Sequence, residues 1–116
     1  MRIQIVEDGV RLNSVQREFV ERRLLFAFNR FEERIRRIVV SFADLNGPRG
    51  GIGVQCRLNV MVAGCRDLLV SAEGETLEVA AADCAAGGSR NLARRLMHQR
   101  SNRRDGNAAV ASVRGR

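Results

Sequence analysis

Arginine is the residue type that can do chemistry in this chain, and its spacing says which chemistry. There are 20 basic side chains, and every one is Arg. Six of them (Arg90, Arg94, Arg95, Arg100, Arg103 and Arg104) fall between Ser89 and Arg104 with no carboxylate among them. A guanidinium is a planar fork that grips two phosphate oxygens at once and keeps its charge at any cellular pH. Like charges along one helix repel, so the run predicts a polyanionic partner that compensates them. A second cluster, from Arg17 to Arg37, holds seven Arg, including Arg22, Arg23 and Arg30, but is diluted by Glu18, Glu21, Glu32 and Glu33. Pairs four apart, such as Glu18 and Arg22, suit an ordinary solvated face there. Up to Asp83 twelve Arg stand against twelve acids, whereas from Cys84 onward eight Arg face Asp105 alone. The whole formal net charge of +7 therefore sits in the last third of the chain.

Other chemistries find little support. His98 is the single histidine, and Cys84 is the cysteine nearest to it in sequence. On a continuous helix they stand about 21 Å apart, too far for a catalytic dyad, and His98 reads as one more residue of the basic face. No HExxH is present, and the loop Gly47–Gly53 lacks the Lys-Ser/Thr of a phosphate-binding P-loop. Gly47-Pro-Arg-Gly50 matches the GxxG pattern of one RNA-binding module, but it joins strands rather than helices and reads as an ordinary hairpin loop. Three cysteines without CxxC spacing argue against both a disulfide framework and a zinc site. The expectation is a non-enzyme with no catalytic residue, no metal, no cofactor and no small-molecule substrate. No apolar run of 18 residues exists to span a membrane, and MRIQIVEDGV is no signal peptide, which predicts a cytoplasmic protein without a membrane partner.

Aromatic residues are few: five Phe, no Tyr and no Trp. A surface built mainly on base stacking would be poorly supplied. Phe19 and Phe26 lie beside Arg22, Arg23 and Arg30, off the main apolar stripe of their helix. They have two readings, as stacking platforms for bases or as packing against a neighbouring helix. The cost of exposing a Phe favours packing.

These groups need elements to position them. Arg2–Val6 alternates apolar and polar, the period of a half-buried strand. Asn13 with Gln16 forms a capping-box signal, and Val20, Leu24, Ala27, Phe28, Phe31 and Ile35 recur at helical spacing. Ile38–Leu45 is rich in β-branched residues and reads as a strand. Asn46–Gly53 reads as a loop, and Ile52–Val62 as a strand with one buried and one wet face. Ala63-Gly64 suggests a tight turn and Cys65–Ala72 a further strand. Thr76 can cap a second helix with the stripe Leu77, Ala80 or Ala81, Cys84, Leu92 and Leu96. Gly87-Gly88 in its middle either loosens that helix or lets something approach closely. The order β-α-β-β-β-α predicts an α+β two-layer domain over residues 1–104, with both helices on one face of a four-stranded sheet. The first two strands are expected parallel and the rest antiparallel. Residues 105–116 lack periodicity and read as a disordered tail.

Three segments carry a resemblance: Arg17–Leu24 (REFVERRL), Arg30–Ile35 (RFEERI) and, above all, Ser71–Glu75 (SAEGE) before an Ala-rich helix that ends in basic residues. Over roughly residues 1–100 the chain resembles the bacterial ribosome hibernation-promoting factor family, which includes the ribosome-associated inhibitor and what older naming called sigma-factor modulation protein. The resemblance implies a fold like that of a double-stranded-RNA-binding domain. It also implies a protein that binds the small ribosomal subunit between head and body and blocks messenger and transfer RNA during starvation, with rRNA as its direct partner.

Carried over by position, Arg23 stands at a basic place of the family's first helix, and Arg90 and Arg94 at basic places of its second. Arg22, Arg30, Arg95, Arg100, Arg103 and Arg104 join the expected RNA-binding set through local charge alone. The chain departs from the family where Gly87-Gly88 replaces a basic-apolar pair and where Ala93 replaces a common basic residue. It also departs in lacking the extra C-terminal domain of long members, so ribosome pairing driven by that domain is not expected. The alternative is a generic basic RNA-binding or protein-interaction module without silencing activity.

Overall fold

The computed structural model describes the backbone of residues 1–45 and 53–109 and the side chains of residues 1–45 and 53–98. The elements run β1 (Arg2–Asp8), α1 (Ser14–Phe28), a single 3-10 turn (Asn29–Phe31), β2 (Ile35–Asp44), β3 (Val54–Val62), β4 (Leu68–Gly74) and α2 (Leu77–Ala109). This is the expected α+β order. The sheet order is β1-β2-β3-β4, with β1 and β2 parallel and the other neighbours antiparallel.

Alternation decides which face of the sheet is covered. Ile38, Val40 and Phe42 of β2 and Cys56, Leu58, Val60 and Val62 of β3 are buried, and the residues between them line the other face. Both helices close the first face. α2 lies on β3 and β4 and packs beside α1. One core results, in which Val20, Leu24 and Phe28 of α1 meet Leu77, Ala80, Ala81, Cys84, Ala85 and Leu92 of α2.

The start of α1 is fixed as its sequence predicts. The backbone N–H of Gln16 donates to Asn13 Oδ1 at 2.7 Å, and the Asn13 N–H donates to Gln16 Oε1 at 3.1 Å. These two bonds satisfy amide donors that a helix start leaves open. The end of α1 differs from expectation. The apolar period continues to Ile35, but the helix stops at Phe28, and Ile35 opens β2, buried at 3% exposure. Helix end, turn and strand start all face one core, so a helical spacing persists where the helix does not. β2 thus begins three residues before the expected Ile38, with an irregularity between Ile35 and Arg37. β4 begins at Leu68 rather than Cys65, because Gly64 (φ 77°) and the bond from Cys65 N–H to Val62 O take those residues into the turn.

α2 resolves the question of Gly87-Gly88. Its first turn is capped by Thr76, whose Oγ1 accepts from Val79 N–H at 3.2 Å. The helix then runs through both glycines without a break. A Cβ on Gly88 would stand 2.9 Å from Leu58 Cδ2 and 3.0 Å from Phe28 Cζ. Gly88 is therefore a point of close approach between α2, α1 and β3. Gly74, in the SAEGE segment, has the same role at the helix start: a Cβ there would stand 2.8 Å from Ala80 N. The backbone of α2 extends to Ala109, past the expected tail boundary at residue 105. The GxxG loop at 47–50 lies outside the described residues.

Candidate nucleic-acid interface

The outer surface of the helical layer is set by the core on its inner side. At 100° per residue, positions two away from a buried residue point to the opposite side of a helix. Leu92 is fully buried, so Arg90 and Arg94, two residues before and after it, are turned outward and exposed. They are four apart and form one stripe. Among the described residues, neither they nor Arg23 is paired with a carboxylate. Arg90 folds back along the helix, its Nη2 lying 3.9 Å from where a Gly87 Cβ would be. His98 continues the flank of Arg94 and is exposed, in a shallow depression with Leu69 and Asn91.

Arg95 is differently engaged. It is half-buried and donates through Nη1 to the carbonyl oxygens of Arg66 at 2.6 Å and Asp67 at 3.3 Å. Those bonds tie α2 to the turn between β3 and β4 and occupy one arm of the guanidinium. The side chains of Arg100, Arg103 and Arg104 lie outside the described residues, although the backbone there belongs to α2.

On α1, Val20, Leu24 and Phe28 fill the core side. Phe19, Arg22, Arg23 and Phe26 fall on a flank away from it and line one shallow cleft of about 340 Å³. Arg22 is held by Glu18 at 2.8 Å, both exposed. Arg30 sits over the ring of Phe31, 4.7 Å from its centroid, a cation–π contact. The expectation that both Phe19 and Phe26 pack against a neighbour requires correction. Phe19 is half-buried against the core, but Phe26 is 83% exposed. The core of α1 is already filled by the 20-24-28 stripe, and a residue two positions beyond Leu24 points away from it. The flank was legible as a 19-22-23-26 spacing once that stripe had been assigned to the core.

The two helices are joined where these surfaces meet. Ser89 Oγ donates to Ala27 O at 2.8 Å. The bond ties α2 to α1 with Arg90 next to the bonded Ser89 and Arg23 one turn before the bonded Ala27.

The remaining candidates are occupied or lie elsewhere. The Cys84 thiol donates to the carbonyl oxygens of Cys56 and Val70 at 3.5 and 3.6 Å, within the core. Hydrogen bonding to Cys84, and then burial, push the Cys56 thiol above the ordinary thiol range. Among the described residues no group of His, Cys, Asp and Glu is placed to hold a metal ion. No helix among the described residues is long and apolar enough to cross a membrane. The open face of the sheet carries a groove lined by Val39, Ser41, Arg57, Asn59, Leu69 and Ser71. A wet face for β3 is legible in the sequence, but the groove on it is not.

No protein-family model and no curated protein matches the chain. Solved structures do. A ribosomal subunit interface protein from Coxiella burnetii matches with a TM-score of 0.71 and 19% identity, over 84% of this chain and 99% of the other. The N-terminal domain of Protein Y from Thermus thermophilus matches with a TM-score of 0.68 and 16% identity, over 81% and 98%. The chain therefore has the fold of these two proteins across nearly their whole length.

Proposed function

We propose that this chain is a ribosome-associated translation inhibitor of the hibernation-factor type. In this reading it binds small-subunit rRNA in the decoding channel through the arginine surface of its two helices. Its bulk then excludes messenger and transfer RNA sterically, in the cytoplasm and without chemistry. The observation that carries the reading is the outward stripe of Arg90 and Arg94, unpaired among the described residues, on a helix tied to α1 by the Ser89–Ala27 bond. Uncompensated guanidinium groups at fixed spacing suit the phosphates of a folded RNA better than an arbitrary anion. The likeness to a ribosomal subunit interface protein and the SAEGE resemblance support the same partner.

The test is co-sedimentation with purified small ribosomal subunits. The double variant Arg90→Glu/Arg94→Glu is expected to lose binding. Arg95 is left unchanged, since its hydrogen bonds to the β3–β4 turn would mix a folding defect into the result. Undiminished binding of the double variant would overturn the assignment of this surface. If the unaltered chain runs free of ribosomal fractions in lysate from stationary cells, the ribosome itself is the wrong partner.

A further inference from the structure

We infer that the cleft between Phe19 and Phe26 on the flank of α1 is a stacking site for one unpaired RNA base. The inference rests on the RNA-binding reading above and adds a contact to bases where that reading has contacts to phosphates only. Phe26 is 83% exposed, the most exposed large apolar side chain among the described residues. Its helix does not need it for packing, because Val20, Leu24 and Phe28 already fill the core side at 2% exposure or less.

The surroundings select the ligand. Phe19 is packed on the core and so offers a fixed wall. Phe26 stands seven residues on, about two turns or 10.5 Å along the axis. Arg22 and Arg23 line the cleft between them, within a volume of about 340 Å³. Arg22 is steadied by Glu18, while Arg23 has no ion-pair partner among the described residues. An aromatic face bordered by guanidinium groups matches a nucleotide, whose base stacks on the ring and whose phosphates meet the charges. A protein partner docking an apolar side chain there would have to desolvate Arg22 and Arg23 without phosphates to compensate them. The cleft also lies on the helix that carries Arg23, and Arg30 lies in the turn that follows that helix, so a base seated in it extends the proposed phosphate-binding surface.

The chain contains no Trp and no Tyr, so Phe26→Trp places a sole indole reporter at the site. The protein is titrated with purified small ribosomal subunits. Stacking on a base is expected to quench the indole emission strongly. Phe26→Ala is expected to weaken binding about tenfold or more, by the same factor at low and high salt, since stacking releases no counterions. Arg23→Gln, by contrast, is expected to flatten the salt dependence.

Both substitutions at Phe26 are on the surface, and far-ultraviolet circular dichroism checks that the fold is kept. If the unaltered chain binds subunits, while Phe26→Ala binds equally well and the indole emission of Phe26→Trp is unmoved, the stacking site is wrong and the ribosome reading survives. A blue-shifted, enhanced emission would place an apolar protein surface over position 26 and overturn the inference. If the unaltered chain does not bind subunits, the ribosome reading falls, and titration with single-stranded oligoadenylate decides the site. Quenching then sustains base stacking at this cleft, and unchanged emission ends it.

Discussion

Ser89 Oγ donates a 2.8 Å hydrogen bond to the carbonyl oxygen of Ala27, and through that bond α2 fixes its rotation against α1. The bond is partly buried and joins residues 62 apart in sequence. Its removal leaves the Ala27 carbonyl without this partner. Ser89→Ala is therefore expected to cost about 1 kcal/mol of folding stability. The check is the urea midpoint, with an unchanged slope showing that the denatured state is not what moved. A variant as stable as the parent would show that packing at Gly88 alone sets the helix pair.

Gly87 and Gly88 are neighbours with opposite expected behaviour. A Cβ on Gly87 meets only ordinary contacts, at 3.8 Å from Val70 and 3.9 Å from Arg90. Gly87→Ala should therefore gain up to about 1 kcal/mol from helix propensity. A Cβ on Gly88 meets Leu58 and Phe28 at 3.0 Å or less, and Phe28 is itself fully buried. Overpacking of this kind costs about 1–3 kcal/mol. Gly88→Ala should thus be less stable than Gly87→Ala by roughly that amount, measured by thermal or urea unfolding of the two variants side by side. Equal stabilisation of both would show that the helix layer yields easily at this point.

These glycines mark where the sequence stops being readable. Propensity assigns each Gly a cost in a helix, and that cost is visible from composition. The compensating gain at Gly88 comes from Leu58 and Phe28, which lie far away in the chain and in no local pattern. The same division holds elsewhere. The cap at Asn13 and the alternation of β3 follow from local spacing, and the fold has them as expected. The end of α1 at Phe28 does not follow, because Phe31 and Ile35 keep a helical spacing while serving the core from a turn and a strand. By local charge alone Arg95 matches Arg94, and only the position of the β3–β4 turn gives it carbonyl oxygens to hold. Exposure of Phe26 is a third case: residue type argued for burial, but the helix had no unfilled core position left for it.

Arg90 and Arg94 should differ from Arg95 in the physics of binding and not only in its strength. Each guanidinium that meets a phosphate displaces condensed counterions, and the affinity falls with salt at a slope of about −0.9 per contact on a duplex. Arg90→Gln/Arg94→Gln is expected to reduce that slope by about 2 in subunit-binding titrations across a salt series. Arg95→Gln is expected to leave the slope nearly unchanged and to lower the unfolding midpoint instead, because it releases the Arg66 and Asp67 carbonyls. A fall in slope with Arg95→Gln would mean that its other arm reaches RNA as well.

Cys56 offers a pH dependence in the opposite direction from the acid sensitivity of most folds. Its thiol is pushed up by the hydrogen bond with Cys84 and by burial at 1% exposure. In the unfolded chain the thiol loses its proton near pH 9.0, whereas in the folded core it keeps it. The folded state then binds a proton that the unfolded state has given up. Stability from this source is intact below about pH 9.0 and falls as the pH rises further. Cys56→Ala removes the titrating group, so its stability, although lower at neutral pH, should decline less steeply. Urea unfolding of both proteins at about pH 7 and about pH 10.5 measures the difference. Parallel declines would show that the Cys56 proton is not held by the fold.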